Sequence, residues 1–132
     1  MIDFEKYKSL NGVDLGLYIY EESQRGGEDL FIDKVTRNLN NLDNNHIAEA
    51  LNYAACLKSN KAADFIVEFV NDQNLWFYAR SALDALKING VQIRDLDLVP
   101  EEQLSPAPPR TKRQRQRLKK YGKPYAGQSL QR

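Results

Sequence analysis

The chain has 132 residues, with 19 lysines and arginines against 18 aspartates and glutamates, and a single cysteine, Cys56. That is one domain's worth of chain, and one thiol excludes an internal disulfide framework. The longest apolar runs, 53–57 and 75–79, are five residues long, whereas a membrane-spanning helix needs about 20.

The near-neutral total conceals a division. Residues 1–109 hold ten basic and 18 acidic side chains, a net of −8, whereas residues 110–132 hold nine basic ones and no acid. An acidic domain with a basic tail is the first expectation. The N-terminus, with Asp3 and Glu5, carries acid where a presequence carries base, so no cleavable targeting segment is expected.

In residues 1–27, Val13, Leu15, Leu17 and Ile19 alternate with other residues in the manner of a strand. No second strand is in prospect to pair with it, so the segment is expected to be a short helix or an extended arm. Gly26-Gly27 then breaks the chain. Leu30, Phe31, Val35 and Leu39 predict a helix over 28–40, and Asn40 through Asn45 a polar connector. Ile47, Ala50, Leu51, Ala54 and Leu57 predict the next helix, capped by Asn44 or Asn45. Ala62, Phe65, Ile66, Phe69 and Val70 predict a third. Asn71-Asp72-Gln73-Asn74 interrupts, and Ala79, Ala82, Leu83 and Leu86 continue over about 75–88, where Asn89-Gly90 is a stop signal. The connectors are short, so successive helices should be antiparallel neighbours in an all-α hairpin array over 28–99. Four prolines at 100, 106, 108 and 109 predict a linker over 100–109, and residues 110–132 are too polar to fold alone.

Catalytic chemistry finds few residues. The one histidine, His46, is expected to be a solvent-exposed residue near a helix start, without the organised partner a general base needs. Cys56 is expected to be a small buried hydrophobe at the wrong end of its helix for a reactive thiolate. One Cys and one His cannot assemble an ordinary zinc site, and no calcium-loop spacing occurs, so no metal or cofactor is expected. Gly26-Gly27-Glu28-Asp29-Leu30-Phe31 is similar to the signature loop of diguanylate cyclases, but that loop sits inside a larger α/β domain. The glycines are instead expected to be a flexible lead-in to the 28–40 helix. The strongest local signal is the tail. Residues 110–120 carry seven positive charges, among them Arg113, Arg115, Arg117, Lys119 and Lys120, with Tyr121 and Tyr125 following. Such a segment suits nucleic-acid phosphates with stacking tyrosines, an anionic lipid surface, or an acidic protein face.

Residues 47–72 carry a resemblance. Ile47, Ala50, Leu51, Leu57, Ile66, Glu68, Val70 and Asp72 fall where the cytochrome c oxidase subunit Va family (subunit VI in yeast) has its aliphatic-x-x-Ala-Leu opening, its Leu before the turn and its Ile-x-Glu-x-Val-x-Asp close. Leu83-Asp84-Ala85-Leu86, Gly90-Val91 and Leu96-x-Leu98 resemble that family's last helix and ending. The sequence departs from the family where a basic pair is replaced by Ala55-Cys56 and a Thr-Pro by Gln92-Ile93. The basic tail has no counterpart there. The resemblance implies a right-handed superhelix of about five short antiparallel helices with an extended basic tail. It also implies a non-catalytic structural subunit of respiratory complex IV, peripheral on the matrix side of the mitochondrial inner membrane and without haem or copper. Its partners would be other oxidase subunits, with anionic lipid headgroups within reach of the tail. Trp76, Phe77 and Tyr78 are the candidate contact, because three consecutive aromatics on one helix cannot all face inward. HEAT-type repeats also have Ala-Leu pairs, and they imply the alternative: a soluble helical adaptor whose basic tail binds nucleic acid.

Overall fold

The computed structural model describes residues 2–106, and the expected all-α class holds: among them are six α-helices, packed against one another, and no strand. The helices are α1 (Phe4–Ser9), α2 (Gly12–Gln24), α3 (Asp29–Arg37), α4 (Asn44–Ala54), α5 (Asn60–Val67) and α6 (Trp76–Ile88), with 3-10 turns at Leu39–Asn41 and Glu101–Gln103. No helix is long and apolar enough to cross a membrane among the described residues. The basic tail lies outside them.

The first 27 residues are two helices, not an arm. Asp3 caps α1 by accepting from the backbone N–H groups of Glu5 and Lys6 at 3.0 and 3.3 Å. In α2 the alternating pattern resolves into two helical faces: Leu15 and Ile19 are buried, whereas Val13 and Leu17 are 77% and 52% exposed. Positions four apart share a helix face, so an i, i+4 pair set two residues from another imitates strand alternation.

Helix α4 is the centre of the fold and packs against α2, α3, α5 and α6. Its Ala48, Ala50 and Ala54 are all buried, and small side chains let several neighbours approach one helix closely. An aromatic chain crosses this core. Tyr7 stands edge-on to Phe31 at 4.9 Å between ring centroids, and Phe31 in turn to Tyr53 at 4.8 Å. The Tyr7 hydroxyl donates to the His46 carbonyl at 2.6 Å, which ties α1 to the first turn of α4.

The capping residues are local and specific. Asp43, not Asn44 or Asn45, caps α4, accepting from the His46 N–H at 2.9 Å. Ser59 caps α5 through the Ala62 N–H at 3.1 Å and donates its hydroxyl to Asp29 at 2.7 Å, joining the first turns of α5 and α3. The Asn89-Gly90 stop is realised: Gly90 has φ +89°, its N–H bonds the Lys87 carbonyl, and Val91 N–H bonds that of Leu86.

Gly27 is a packing residue rather than a flexible lead-in. A Cβ there would collide with Leu57 Cδ2 and come within 3.3 Å of the Tyr53 ring, whose hydroxyl accepts from Glu28 N–H at 2.8 Å. Leu57 and Tyr53 are both buried and have little room to retreat. Gly27→Ala is therefore expected to destabilise the domain by about 1–3 kcal/mol, read as a lowered urea midpoint. An unchanged midpoint would mean that the loop before α3 shifts freely.

Candidate interaction site

After α6 the chain runs back along the α5–α6 corner as an extended strap, and four side chains of that corner hold its backbone. The Asn71 side-chain amide donates to the Asp97 carbonyl at 2.8 Å and accepts from the Val99 N–H at 2.9 Å. The Gln73 amide repeats the pattern two residues on, donating to the Gln103 carbonyl at 3.3 Å and accepting from the Ser105 N–H at 3.1 Å. Each amide thus engages a carbonyl and the N–H two residues later, as an adjacent β-strand would. Arg80 donates to the carbonyls of Val70 and Val99 at 2.8 and 2.7 Å, and the Trp76 indole N–H donates to the Ser105 carbonyl at 2.7 Å. Partial burial lowers the pKa of the Arg80 guanidinium, with Glu101 opposing the shift.

The strap corrects two expectations. Residues 100–106 are not a free linker: Leu104 is buried against Trp76 and Phe77, with Val99 packed beside them. Trp76 and Phe77 are accordingly buried and do not face outward, while Tyr78 is half-buried. A cover supplied by a segment about 28 residues downstream leaves no trace in the periodicity of α6.

Beside the strap lies a cleft of about 380 Å³ lined by Asn44, Asn45, Gln73, Asn74, Trp76 and Tyr78, with Ser105 and Pro106 among its walls. It joins the first turns of α4 and α6. Asn44, Asn45 and Asn74 are exposed, and among the described residues their side-chain amides bond to nothing. In the sequence these amides read as connector and capping residues between helices. The signal that could have singled them out is the run of polar amides 71–74 set directly before three aromatics.

His46 is buried rather than exposed, because α1 lies over it and Tyr7 stands edge-on to its ring at 5.2 Å. Its Nδ1 donates to Asp43 at 2.7 Å, and its Nε2 has no hydrogen-bond partner among the described residues. The backbone and ring N–H groups of His46 hold the Asp43 carboxyl below the usual aspartate range. A depressed folded-state pKa contributes stability above the unfolded value of 3.8 that is lost as pH falls through the folded one. Asp43→Ala should cost about 0.5–2 kcal/mol at pH 7 through the lost cap. The cost should shrink as denaturation is repeated below pH 3.8; an equal cost at both pH values would contradict this role for the carboxylate.

Cys56 is exposed, not buried. Helix α4 ends at Ala54, so Cys56 sits in the following turn, where its Sγ lies 3.7 Å from the Asn52 carbonyl. No group of three or more potential metal-ligating side chains gathers among the described residues. Arg113, Arg115, Arg117, Lys119 and Lys120 lie outside the described residues.

The residues that carry the subunit Va resemblance fall on the α4–α5 hairpin and the turn after it. Ile47, Ala50, Leu51, Leu57, Ile66 and Val70 are buried within the chain's own core. Asp72 accepts from the N–H groups of Asn74 and Leu75 at 2.8 and 3.0 Å, forming the turn into α6, while Glu68 is exposed. Packing and turn formation inside this chain therefore account for every position of the pattern except Glu68. No protein-family model, curated protein or solved structure matches the chain.

Proposed function

We propose that this chain is a non-catalytic helical subunit that acts by binding other macromolecules. In the specific form that the resemblance over 47–72 implies, it is a peripheral, matrix-side structural subunit of mitochondrial respiratory complex IV, stabilising the assembly through helix-face and tail contacts. The observation that carries the general reading is the surface of α2. Val13 and Leu17, one turn apart, face solvent on a helix whose opposite face is already buried in the core. Adjacent large apolar side chains turned to solvent favour a contact surface. The net charge of −8 over residues 1–109 and of +9 over 110–132 gives the chain both signs of charge with which to match a partner.

Val13→Glu combined with Leu17→Glu tests this reading in the tagged full-length chain. The pair should leave thermal unfolding nearly unchanged, because both positions are exposed, and should remove stably co-purifying subunits. Retention of the same partners by a folded double variant would reject α2 as the contact.

The second reading, a helical adaptor with a nucleic-acid-binding tail, is favoured by the nine cations and no acid of 110–132 with Tyr121 and Tyr125 among them. It requires affinity for single-stranded nucleic acid that falls steeply with salt and vanishes when 110–132 are removed. Salt-insensitive retention, or none, dismisses it.

A further inference from the structure

Helix α2 leaves one face to solvent, and the charge along that face has one sign. Val13 and Leu17 lie one turn apart on it, with half-buried Tyr20 three residues beyond Leu17. The exposed carboxylates Asp14 and Glu21 stand three residues before and four after Leu17, which puts both along one edge of the apolar pair. No lysine or arginine occurs within Gly12–Gln24. Two cations that approach the helix are engaged elsewhere on it: Lys6 lies over the Tyr18 ring at 4.7 Å, and Arg25 pairs with Glu22 at 2.9 Å. A second copy of α2 would bring like charges together, whereas a cationic segment with a few apolar side chains matches the face.

The chain contains such a segment. Residues 110–123 hold eight cations and no acid, and their apolar side chains are Leu118 and Tyr121, three apart and interleaved with Arg117, Lys119 and Lys120. Leu118 is twelve residues beyond Pro106. An extended chain of that length reaches up to about 40 Å, and a domain of this size has a radius of gyration of about 13 Å, so α2 is within reach. Tethering also presents the segment at an effective concentration on the order of millimolar, above that of any second copy in dilute solution. We propose that segment 110–132, which lies outside the described residues, docks on α2 of its own chain. Leu118 and Tyr121 then sit on Val13 and Leu17, and the flanking cations lie against Asp14 and Glu21. The tail is an autoinhibitory cover, and a partner reaches α2 only by displacing it. That consequence rests on the reading of α2 as the contact surface; the docking itself does not.

Zero-length carbodiimide coupling of the dilute full-length chain tests this, because it joins a carboxylate to a lysine amine only where the two touch. Asp14 or Glu21 should be linked to Lys119 or Lys120 within monomers. The link should be largely lost in about 1 M NaCl, where charges are screened beyond about 3 Å. It should also be several-fold weaker in Leu118→Ser combined with Tyr121→Ser, a pair that alters no residue of the helical domain. No link to Asp14 or Glu21, a link confined to dimers, or an undiminished link in the double variant would each overturn the docking. The same double variant should recover more partner protein on co-purification than the unaltered chain does, and equal recovery would overturn the cover. If α2 is instead not the contact surface, the chain with Val13→Glu and Leu17→Glu keeps its partners while the unaltered chain still shows the link.

Discussion

Tyr7→Ala will destabilise the domain by about 3–5 kcal/mol, the cost of removing a large aromatic from a packed core. Tyr7 has no exposed surface and lies against Phe4, Phe31 and His46, with the Phe31 and His46 rings met edge-on. Its loss leaves a cavity where α1 meets the first turn of α4, and the His46 carbonyl loses the hydroxyl donor at 2.6 Å. Tyr7→Phe separates the two contributions. It keeps the ring contacts and removes the hydroxyl, so it should cost only about 0.5–1.5 kcal/mol. The same pair predicts an alkaline signature. Burial raises the Tyr7 pKa, so the unfolded chain loses its phenolic proton near pH 10 while the folded one retains it. Protons are then bound more tightly in the folded state, and stability falls as pH rises above 10. Tyr7→Phe should flatten that fall. Urea unfolding at pH 7 and in alkali measures both effects, and a cost below about 1 kcal/mol for Tyr7→Ala would mean that α1 is not docked.

Trp76→Ala should have the next largest effect, about 3 kcal/mol or more, together with release of the strap. Its ring meets Phe77 edge-on at 5.9 Å, lies 5.5 Å from the Arg80 guanidinium carbon and packs on Leu104. Its N–H holds the Ser105 carbonyl. Without the ring, Leu104 loses its apolar surface and the amide clasp of Gln73 is left to hold residues 103–105 alone. Hydrogen exchange reads this directly, because the Val99 and Ser105 N–H groups bond to the side chains of Asn71 and Gln73. Both amides should lose protection in Trp76→Ala, while Trp76→Phe should retain most of it at Val99 and lose more at Ser105. Unchanged protection at both positions in Trp76→Ala would show that the strap does not depend on the indole.

How much of this was legible in the sequence depended on where each signal originates. The α4, α5 and α6 stripes were readable because Ile47, Leu51, Ile66, Ala79 and Leu86 face the core at helical spacing on their own helices. The Gly90 stop was equally local, a positive φ that glycine adopts without strain. Where burial is imposed from a distance, the sequence was silent. His46 reads as an exposed near-cap residue until α1, some 40 residues upstream, covers it. Cys56 reads as core until α4 ends two residues before it. The strap shows the same limit more sharply. Asn71 and Gln73 bind the backbone of 97–105, an interaction with no hydrophobic period and no residue signature on the bound side. The prolines that suggested a linker are compatible with it, because an extended chain held by side-chain amides needs no N–H at positions 100 and 106.

Native purification of the tagged full-length chain tests the proposed subunit role most directly, with the recovered material resolved on a native gel and its absorption spectrum recorded. As a stable subunit it should migrate in a complex far larger than its own 15.2 kDa, and in the specific form proposed that complex carries the haem a absorption of complex IV. Recovery of the folded chain alone, at monomer size and without a companion protein, would contradict the assembly role. A large complex lacking haem a would retain the general role and reject the oxidase.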